Sequence, residues 1–300
     1  KRRHIKMIDG FEIQKRYENL PHGEQRLQAI KNAIALADAE KDYEFMYIFR
    51  SDLMSESELY GDSFQAFLTF PEMIKIFDEH EEELEKYKHD YIWEFKWILS
   101  DCEDFYQVSK AKVFELFAEF RKRCERYGYS LRPYYQCLYH FEKACDKQAA
   151  KKAYQQFILA KRDELADCYA CELNAMVGYE LNTASMGRAL ETAYPILSGQ
   201  VSCTEIPDVT YNNIMHRYYE LGDFEKAEEY RKKCYRRISI NSSYLFIIGD
   251  MLKLYSKTDL TKGVKLFEKH LAWVFTSKNP HSNMKFYIGA AAVFTKLAQK

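Results

Sequence analysis

The sequence predicts an all-α protein, an α-solenoid of about six antiparallel helix pairs with extra N- and C-terminal helices. Helix-breaking residues are scarce, with 11 glycines and 6 prolines among 300 residues, while apolar residues make up 47% of the chain. Apolar side chains recur at helical spacing nearly everywhere, as in segment 111–124, and no good strand block is visible. Short breaks between apolar segments also recur every 36 to 43 residues, which is typical of a helical-repeat array.

The breaks that define the repeat are short stretches between apolar helices. They lie at Gly61, Asp104, Asp146, Asn182, Gly222 and Asp259. The interval between them equals one helical hairpin plus a connector, so each break marks the turn inside one pair. The clearest example is YYELGDFEKAEEY, residues 218–230, in which Gly222 and Asp223 form the tight turn.

The helices follow from these turns in chain order. After an N-terminal segment, 1–23, we expect a leading helix over 24–40 and repeats over 43–275. The six pairs are 43–60 with 63–79, 88–102 with 107–125, 132–144 with 148–160, 163–180 with 183–197, 208–221 with 224–238, and 243–257 with 260–275. A capping helix over 282–298 closes the array, because a solenoid needs end helices that cover its core. We therefore expect a single repeat domain over 1–300.

Prolines and small residues agree with this phase. Pro133, Pro207 and Pro280 lie where helices should begin, a position that needs no amide donor. Pro71 lies inside a predicted helix and is expected to kink it. Four of the six positions five residues after the turns are small, which suits close contact between paired helices. These positions are Ala66, Ser109, Lys151, Gly187, Ala227 and Val264.

One repeat carries enough of a motif to suggest a family. Its matching residues are Tyr211, Ile214, Tyr218, Gly222, Asp223, Phe224, Ala227 and Cys234. On these residues segment 208–235 resembles a tetratricopeptide repeat, from which it departs at Met215 and Arg231. The other repeats match in phase and length more than in identity. The resemblance implies a right-handed superhelix in which the first helix of each pair lines a concave groove that holds a peptide or a partner's helix.

In the register of this family, groove-facing positions lie about ten, six and three residues before each turn. The resemblance therefore implies a peptide or partner groove at Gln136, His140, Lys143, Glu172, Met176, Tyr179, Asn212, His216, Tyr219 and Lys253. The same register also assigns Ser51, Glu94, Gly249 and Ser256 to this face. A mixed polar and aromatic lining suits an extended peptide backbone. A simple solvent-facing helix surface would look similar, and the sequence leaves that alternative open.

The sequence contains no convincing catalytic constellation. A glycine-rich phosphate loop and the HExxH and GxSxG motifs are missing. Among eight cysteines, Cys168 and Cys171 form one CxxC pair, which we place inside a helix. A redox pair would want a helix N-terminus after a strand, and a zinc site would want a second pair, so we interpret the thiols as structural. We expect no catalytic residue, no metal and no cofactor.

The charge balance bears on the choice of partner. The formal net charge is −1, which argues against nucleic-acid binding through bulk charge. Two basic clusters, 120–126 and 230–237, are interpreted as solvated ends of amphipathic helices. No apolar run is long enough to span a membrane. We expect a protein or peptide partner and a cytoplasmic location, and homo-oligomerisation stays open.

These observations together predict a non-enzymatic scaffold that binds a protein or peptide in the groove of the superhelix. The first alternative is a cytoplasmic bacterial peptide-sensing regulatory domain, which resembles receptors that bind short signalling peptides. The second alternative is the repeat domain of a larger enzyme or regulator. An additional domain encoded next to this chain would favour either alternative over a free-standing scaffold.

Overall fold

The computed structural model describes residues 9–59 and 62–299, and in these ranges the chain is all-helical, without a strand. The predicted turn at Gly61 lies outside the described residues, as does the last residue of the predicted helix 43–60. The chain divides into two compact units, one ending at Leu165 and the other starting at Ala166. Because of this division, the single domain over 1–300 stays a prediction.

The first unit contains nine α-helices among its described residues. They are α1 (Gly10–Glu18), α2 (Glu24–Glu40), α3 (Tyr43–Leu59), α4 (Ser63–Glu79), α5 (Glu81–Leu84), α6 (Lys88–Asp101), α7 (Lys110–Tyr127), α8 (Arg132–Glu142) and α9 (Lys147–Leu159). Consecutive helices pack in pairs, as α3 does with α4 and α8 with α9. The core is rich in aromatic side chains, and the rings of Phe77 and Tyr91 stack with their centroids 4.0 Å apart. Large aromatic side chains therefore fill the space between helices here.

The second unit contains seven α-helices among its described residues. They are α10 (Tyr169–Thr183), α11 (Met186–Leu197), α12 (Asp208–Glu220), α13 (Phe224–Ile238), α14 (Leu245–Thr258), α15 (Leu260–Thr276) and α16 (Pro280–Ala298). Helix α14 packs against α12, α13, α15 and α16. Ten of its residues are buried, as expected for a helix that is apolar on nearly all sides. Helix α14 is therefore the centre of this unit.

Each second helix of the six predicted pairs begins at a side-chain cap. In each case an aspartate or serine side chain accepts a hydrogen bond from a backbone N–H of the first turn. The caps are Asp62, Ser109, Asp146, Ser185, Asp223 and Asp259. Such a cap satisfies an amide donor that has no partner inside the helix. The predicted breaks at Asp146, Gly222 and Asp259 thus lie at the starts of second helices. Two predicted breaks were displaced, because Asp104 lies five residues before the cap Ser109 and Asn182 is still inside α10.

Most predicted boundaries agree with the observed helices to within three residues. The best-preserved turn is confirmed: Gly222 has φ +76°, in the left-handed region that favours glycine, and Asp223 caps α13. Pro133 lies in the first turn of α8, Pro207 caps α12, and Pro280 begins α16. Helix α4 continues through Pro71 as one 17-residue helix.

One helix was not predicted, and one boundary prediction was wrong. The N-terminal segment contains a helix, α1, which begins at an Asp9 cap. The helix expected from residue 163 begins only at Tyr169, because the preceding backbone has partners elsewhere. The Asp163 side chain accepts from the N–H groups of Ser130 and Leu165, at 2.5 and 3.1 Å, and the ammonium of Lys96 donates to the Leu165 carbonyl at 3.0 Å. These contacts replace the bonds of a helical turn.

Candidate functional site

The first helices of the second unit lie side by side and are joined by polar side chains. Helix α12 contacts both α10 and α14. The hydroxyl of Thr210 on α12 donates to the amide oxygen of Asn174 on α10, at 2.8 Å. On the other side, the amide of Asn212 donates to the carboxylate of Asp250 on α14, at 3.2 Å. Part of the predicted polar face therefore ties neighbouring helices together.

Asp250 lies at the centre of the polar contacts in this unit. It is 3% exposed, and its Oδ1 is 3.2 Å from the ammonium of Lys253 and 3.0 Å from that of Lys285. Burial raises the pKa of Asp250, but the positive charges of Lys285, Lys253 and His216 outweigh this effect and hold the pKa below its usual value. The site thus keeps one buried anion beside two half-buried cations.

Three of the predicted residues gather around this carboxylate: Asn212, His216 and Lys253. Asn212 is buried, and its Oδ1 has no hydrogen-bond partner among the described residues. His216 is half-buried, with its Nδ1 3.6 Å from the Glu220 carboxylate. An unpaired buried acceptor costs about 1–3 kcal/mol. The enclosed acceptor of Asn212 is therefore a local cost to stability.

The remaining predicted residues of this unit differ in exposure. Tyr219 is half-buried, and its ring centroid lies 6.1 Å from that of His216. Tyr179 and Met176 on α10 are also half-buried, and Met176 packs against a small apolar cluster that includes Leu173. Glu172 is only 1% exposed. Tyr219, Tyr179 and Met176 thus remain accessible as contact surface, whereas Glu172 belongs to the interior.

Helix α16 covers part of the predicted face of α14. A Cβ atom added at Gly249 would overlap the carbonyl group of Lys285, and one added at Gly289 would overlap the carbonyl oxygen of Gly249. The two helices therefore meet backbone to backbone. Ser256 is buried and donates to the carbonyl of Lys253, at 2.7 Å. On α14, the accessible part of the predicted face is reduced to Lys253.

The other three predicted residues lie on α8, in the first unit. Gln136 is buried, His140 is half-buried and Lys143 is exposed. The Lys143 ammonium lies 3.4 Å from Nδ1 of His140 and 4.0 Å from the Glu103 carboxylate. Burial, aided by the positive charge of Lys143, lowers the pKa of His140 to about 3. His140 is therefore a neutral ring at neutral pH and can accept a hydrogen bond.

The first unit repeats the pattern of polar ties between first helices. Glu94 on α6 is buried and accepts hydrogen bonds from the hydroxyls of Ser51 and Tyr47 on α3, the latter at 3.1 Å. Burial is the main cause that raises the pKa of Glu94 to about 7. Ser51 and Glu94 both occupy the register positions of the predicted face. The register predicted both residues in the partner groove, but the structure places them in a polar contact between α3 and α6.

The surface also has a cleft away from the predicted residues. A cleft of about 590 Å³ lies on α7 and the start of α8, and its lining includes Phe114, Phe117 and Tyr134 together with charged side chains. Its charged lining residues are Glu115, Glu119, Arg121, Lys122 and Glu125, and none of them belongs to the predicted groove.

The placement of the CxxC pair inside a helix was wrong. Cys168 is the N-cap of α10 and Cys171 lies in its first turn, since the helix begins later than expected. Cys203, from the connection before α12, lies beside them, and the three Sγ atoms are all within 4.8 Å of one another. Sequence reasoning missed Cys203 because it is a single cysteine 32 residues beyond Cys171. The only signal would have been a third thiol in the same repeat.

Comparison of the chain with family models, with curated protein sequences and with solved structures gave no match. The described residues form a packed all-helical arrangement, which is compatible with a helical-repeat fold. No helix within residues 9–59 and 62–299 is both long and apolar enough to cross a membrane.

Proposed function

We propose that the protein is a non-enzymatic scaffold that binds an extended peptide segment of a protein partner on α10 and α12 of the second unit. The observation that carries this proposal is the division of the polar face into two kinds of residue. Some residues tie the first helices together, while His216, Tyr219, Tyr179 and Met176 remain half-exposed beside them. Aromatic and methionine side chains on a rigid support are typical contact residues.

The electrostatics of the site favour a particular peptide chemistry. Lys253 and Lys285 contribute two ammonium groups to the single carboxylate of Asp250. The local surplus of positive charge suits an acidic side chain or a peptide carbonyl. An extended segment offers carbonyl groups along its backbone that these ammonium groups can bind.

We also propose that the helix pairs form a tetratricopeptide-like right-handed superhelix. In a tetratricopeptide-like right-handed superhelix, the first helices of successive pairs form one concave lining. The capped second helices and the close α12–α14 contact are what such an array would have. Helix α16 would then close the lining at α14, and the binding region would extend over α10 and α12.

The test is selection of peptides from a random displayed library, followed by affinity measurements on variants. For a selected peptide, His216→Ala combined with Tyr219→Ala is expected to weaken binding by more than about tenfold, because central aromatic contacts carry much of an interface's binding energy. The matched control is Tyr194→Ala, an exposed tyrosine on α11, which should leave the affinity unchanged.

Two outcomes would contradict the proposed function. One is a library that yields no enriched sequence with the folded protein. The other is an enriched peptide whose affinity falls with Tyr194→Ala and is insensitive to the α12 double variant. Circular dichroism on each variant shows whether the helices are intact and keeps a folding defect separate from lost contacts.

A further inference from the structure

Three cysteines of the second unit form a compact cluster at the start of α10. Cys168 caps the helix, Cys171 lies in its first turn, and Cys203 lies in the connection between α11 and α12. The Sγ atoms of Cys171 and Cys203 are 3.4 Å apart, and all three sulfur atoms lie within 4.8 Å of one another. All three thiols are free, and each has at least some exposure.

These distances match the ligand spacing of a thiolate metal site. Tetrahedral zinc binds thiolate sulfur at about 2.3 Å, which places two sulfur ligands about 3.8 Å apart. The 3.4 Å between the Cys171 and Cys203 sulfur atoms is slightly shorter than that value, and every other pair lies within 4.8 Å. Soft thiolate ligands in a tetrahedral arrangement favour zinc over harder divalent ions such as magnesium and calcium.

We propose that Cys168, Cys171 and Cys203 bind a zinc ion as three thiolates, with the fourth position taken by water. The spacing of the CxxC pair provides two ligands from one helix start, and the third comes from a separate connection. The ion would join the start of α10 to the segment that leads into α12. The metal would thereby close a loop of the chain that runs from Cys168 to Cys203.

The start of α10 suits an anionic ligand group. Cys168 is the N-cap of the helix and Cys171 lies in its first turn, where backbone N–H groups and the helix dipole stabilise negative charge on sulfur. Zinc bound there would keep the sulfur atoms deprotonated, because a coordinated thiol loses its proton.

The binding step is an ion exchange without electron transfer. Zinc forms bonds to the sulfur atoms of Cys168, Cys171 and Cys203, and the protons of those cysteines that are still thiols leave to solvent. Zinc stays divalent and no sulfur is oxidised. Binding therefore weakens as the pH falls, because protons compete for the same sulfur atoms.

The experiment is a zinc titration of the reduced, metal-free full chain against a chromophoric chelator. We expect one ion bound per chain. The variant Cys203→Ser should weaken zinc binding by more than about 100-fold, since even loss of an outer-shell partner lowers affinity 10–100-fold. The matched control is Cys145→Ser, an exposed cysteine of the first unit, which should bind zinc as the unsubstituted chain does.

Alkylation of the unsubstituted protein gives a second readout that needs no variant. Zinc should protect Cys168, Cys171 and Cys203 from iodoacetamide while Cys145 still reacts, as resolved by peptide mass spectrometry. The proposal is overturned if the reduced chain binds no zinc, if Cys203→Ser binds it unchanged, or if zinc leaves the alkylation of the three cysteines unaltered.

Discussion

Glu94 is a carboxyl group enclosed between two first helices. It accepts hydrogen bonds from Tyr47 and Ser51, yet Asp90 and Asp52 surround it with negative charge. Burial raises its pKa to about 7. In the unfolded chain the group ionises at its ordinary value, near 4.5. The folded state therefore binds the proton more tightly than the unfolded state.

This difference predicts how stability depends on pH. The contribution of Glu94 is fully present below about pH 4.5, falls as the pH rises towards 7, and stays at its low value above that. Glu94→Gln cannot ionise, so it should raise the free energy of unfolding by about 3 kcal/mol near pH 8 relative to the unsubstituted chain. Near pH 4.5 the two proteins should differ much less. Urea denaturation at both pH values measures the effect.

The control for this prediction is Glu191→Gln, at an exposed carboxylate on α11. It should change the unfolding free energy by less than about 0.5 kcal/mol at either pH. A stabilisation by Glu94→Gln that is equal at both pH values would show that proton binding is not its cause.

Two arginines of the basic clusters are buried and paired with carboxylates. The basic cluster 120–126 was interpreted as a solvated helix end, but Arg123 is buried and forms a two-point contact with the Asp78 carboxylate, at 2.6 and 2.8 Å. Arg231, in the other basic cluster, is buried as well and pairs with Glu228. Charge clustering along the sequence could not predict this, because the carboxylate of Asp78 lies on a different helix.

At the level of elements, the contact between α14 and α16 is set by two glycines. Gly249 and Gly289 let the backbones meet, and Gly263 on α15 lies against Val293, where an added Cβ would be 3.0 Å from Cγ2. Such an approach requires residues without a Cβ. The contact fixes α16 across α14, which is the central helix of the second unit.

Gly289→Ala should therefore destabilise the second unit. The added methyl would overlap the Gly249 carbonyl oxygen and lie 2.9 Å from Cβ of Leu252, so α16 has to shift. We expect a loss of about 2 kcal/mol in unfolding free energy, measured by urea denaturation.

The matched control is Gly178→Ala on α10, where an added Cβ meets nothing within 4 Å. That substitution should stabilise the protein by about 0.5–1 kcal/mol, because alanine is the better helix former. If Gly289→Ala were as stable as Gly178→Ala, the close contact of α14 with α16 would be contradicted.

Helix boundaries could be predicted from the sequence, because caps and apolar periodicity are local signals. The small positions were confirmed at Ala66 and Ala227, which are buried at helix contacts. They were wrong at Ser109, which is a cap, and at Gly187, where an added Cβ would meet only the Ser185 hydroxyl oxygen, at 3.9 Å. Exact contact positions depend on helix crossing, which the local sequence does not encode.

At the level of the whole molecule, each compact unit has its own apolar core. Tyr91, Phe95 and Phe120 belong to the core of the first unit, whereas Leu252, Phe286 and Val293 belong to that of the second. A core of its own is the physical requirement for independent folding. The units are thus candidates for separate domains, in place of the single domain predicted over 1–300.

A fragment of residues 166–300 should fold on its own. We expect a helical circular dichroism spectrum and a cooperative urea transition, because α14 is enclosed by other helices of the same unit. A fragment without a cooperative transition would support the single domain instead.

The candidate site was predictable only in part. The tetratricopeptide-like register placed Asn212, His216 and Lys253 on one face. In the structure these residues surround Asp250. It could not indicate that α16 would cover Gly249 or that Cys203 would join the CxxC pair. Both features bring together residues more than 30 positions apart in the sequence, and neither follows from the periodicity of one helix.

The most direct test of the central claim is site-specific photo-crosslinking of a selected peptide. A photoreactive phenylalanine analogue replaces Tyr219 on α12 in one protein and Tyr194 on α11 in another. The account predicts that the peptide crosslinks at position 219 and not at 194, and that an excess of unlabelled peptide suppresses the crosslink. Crosslinking at position 194 alone, with none at 219, would contradict it.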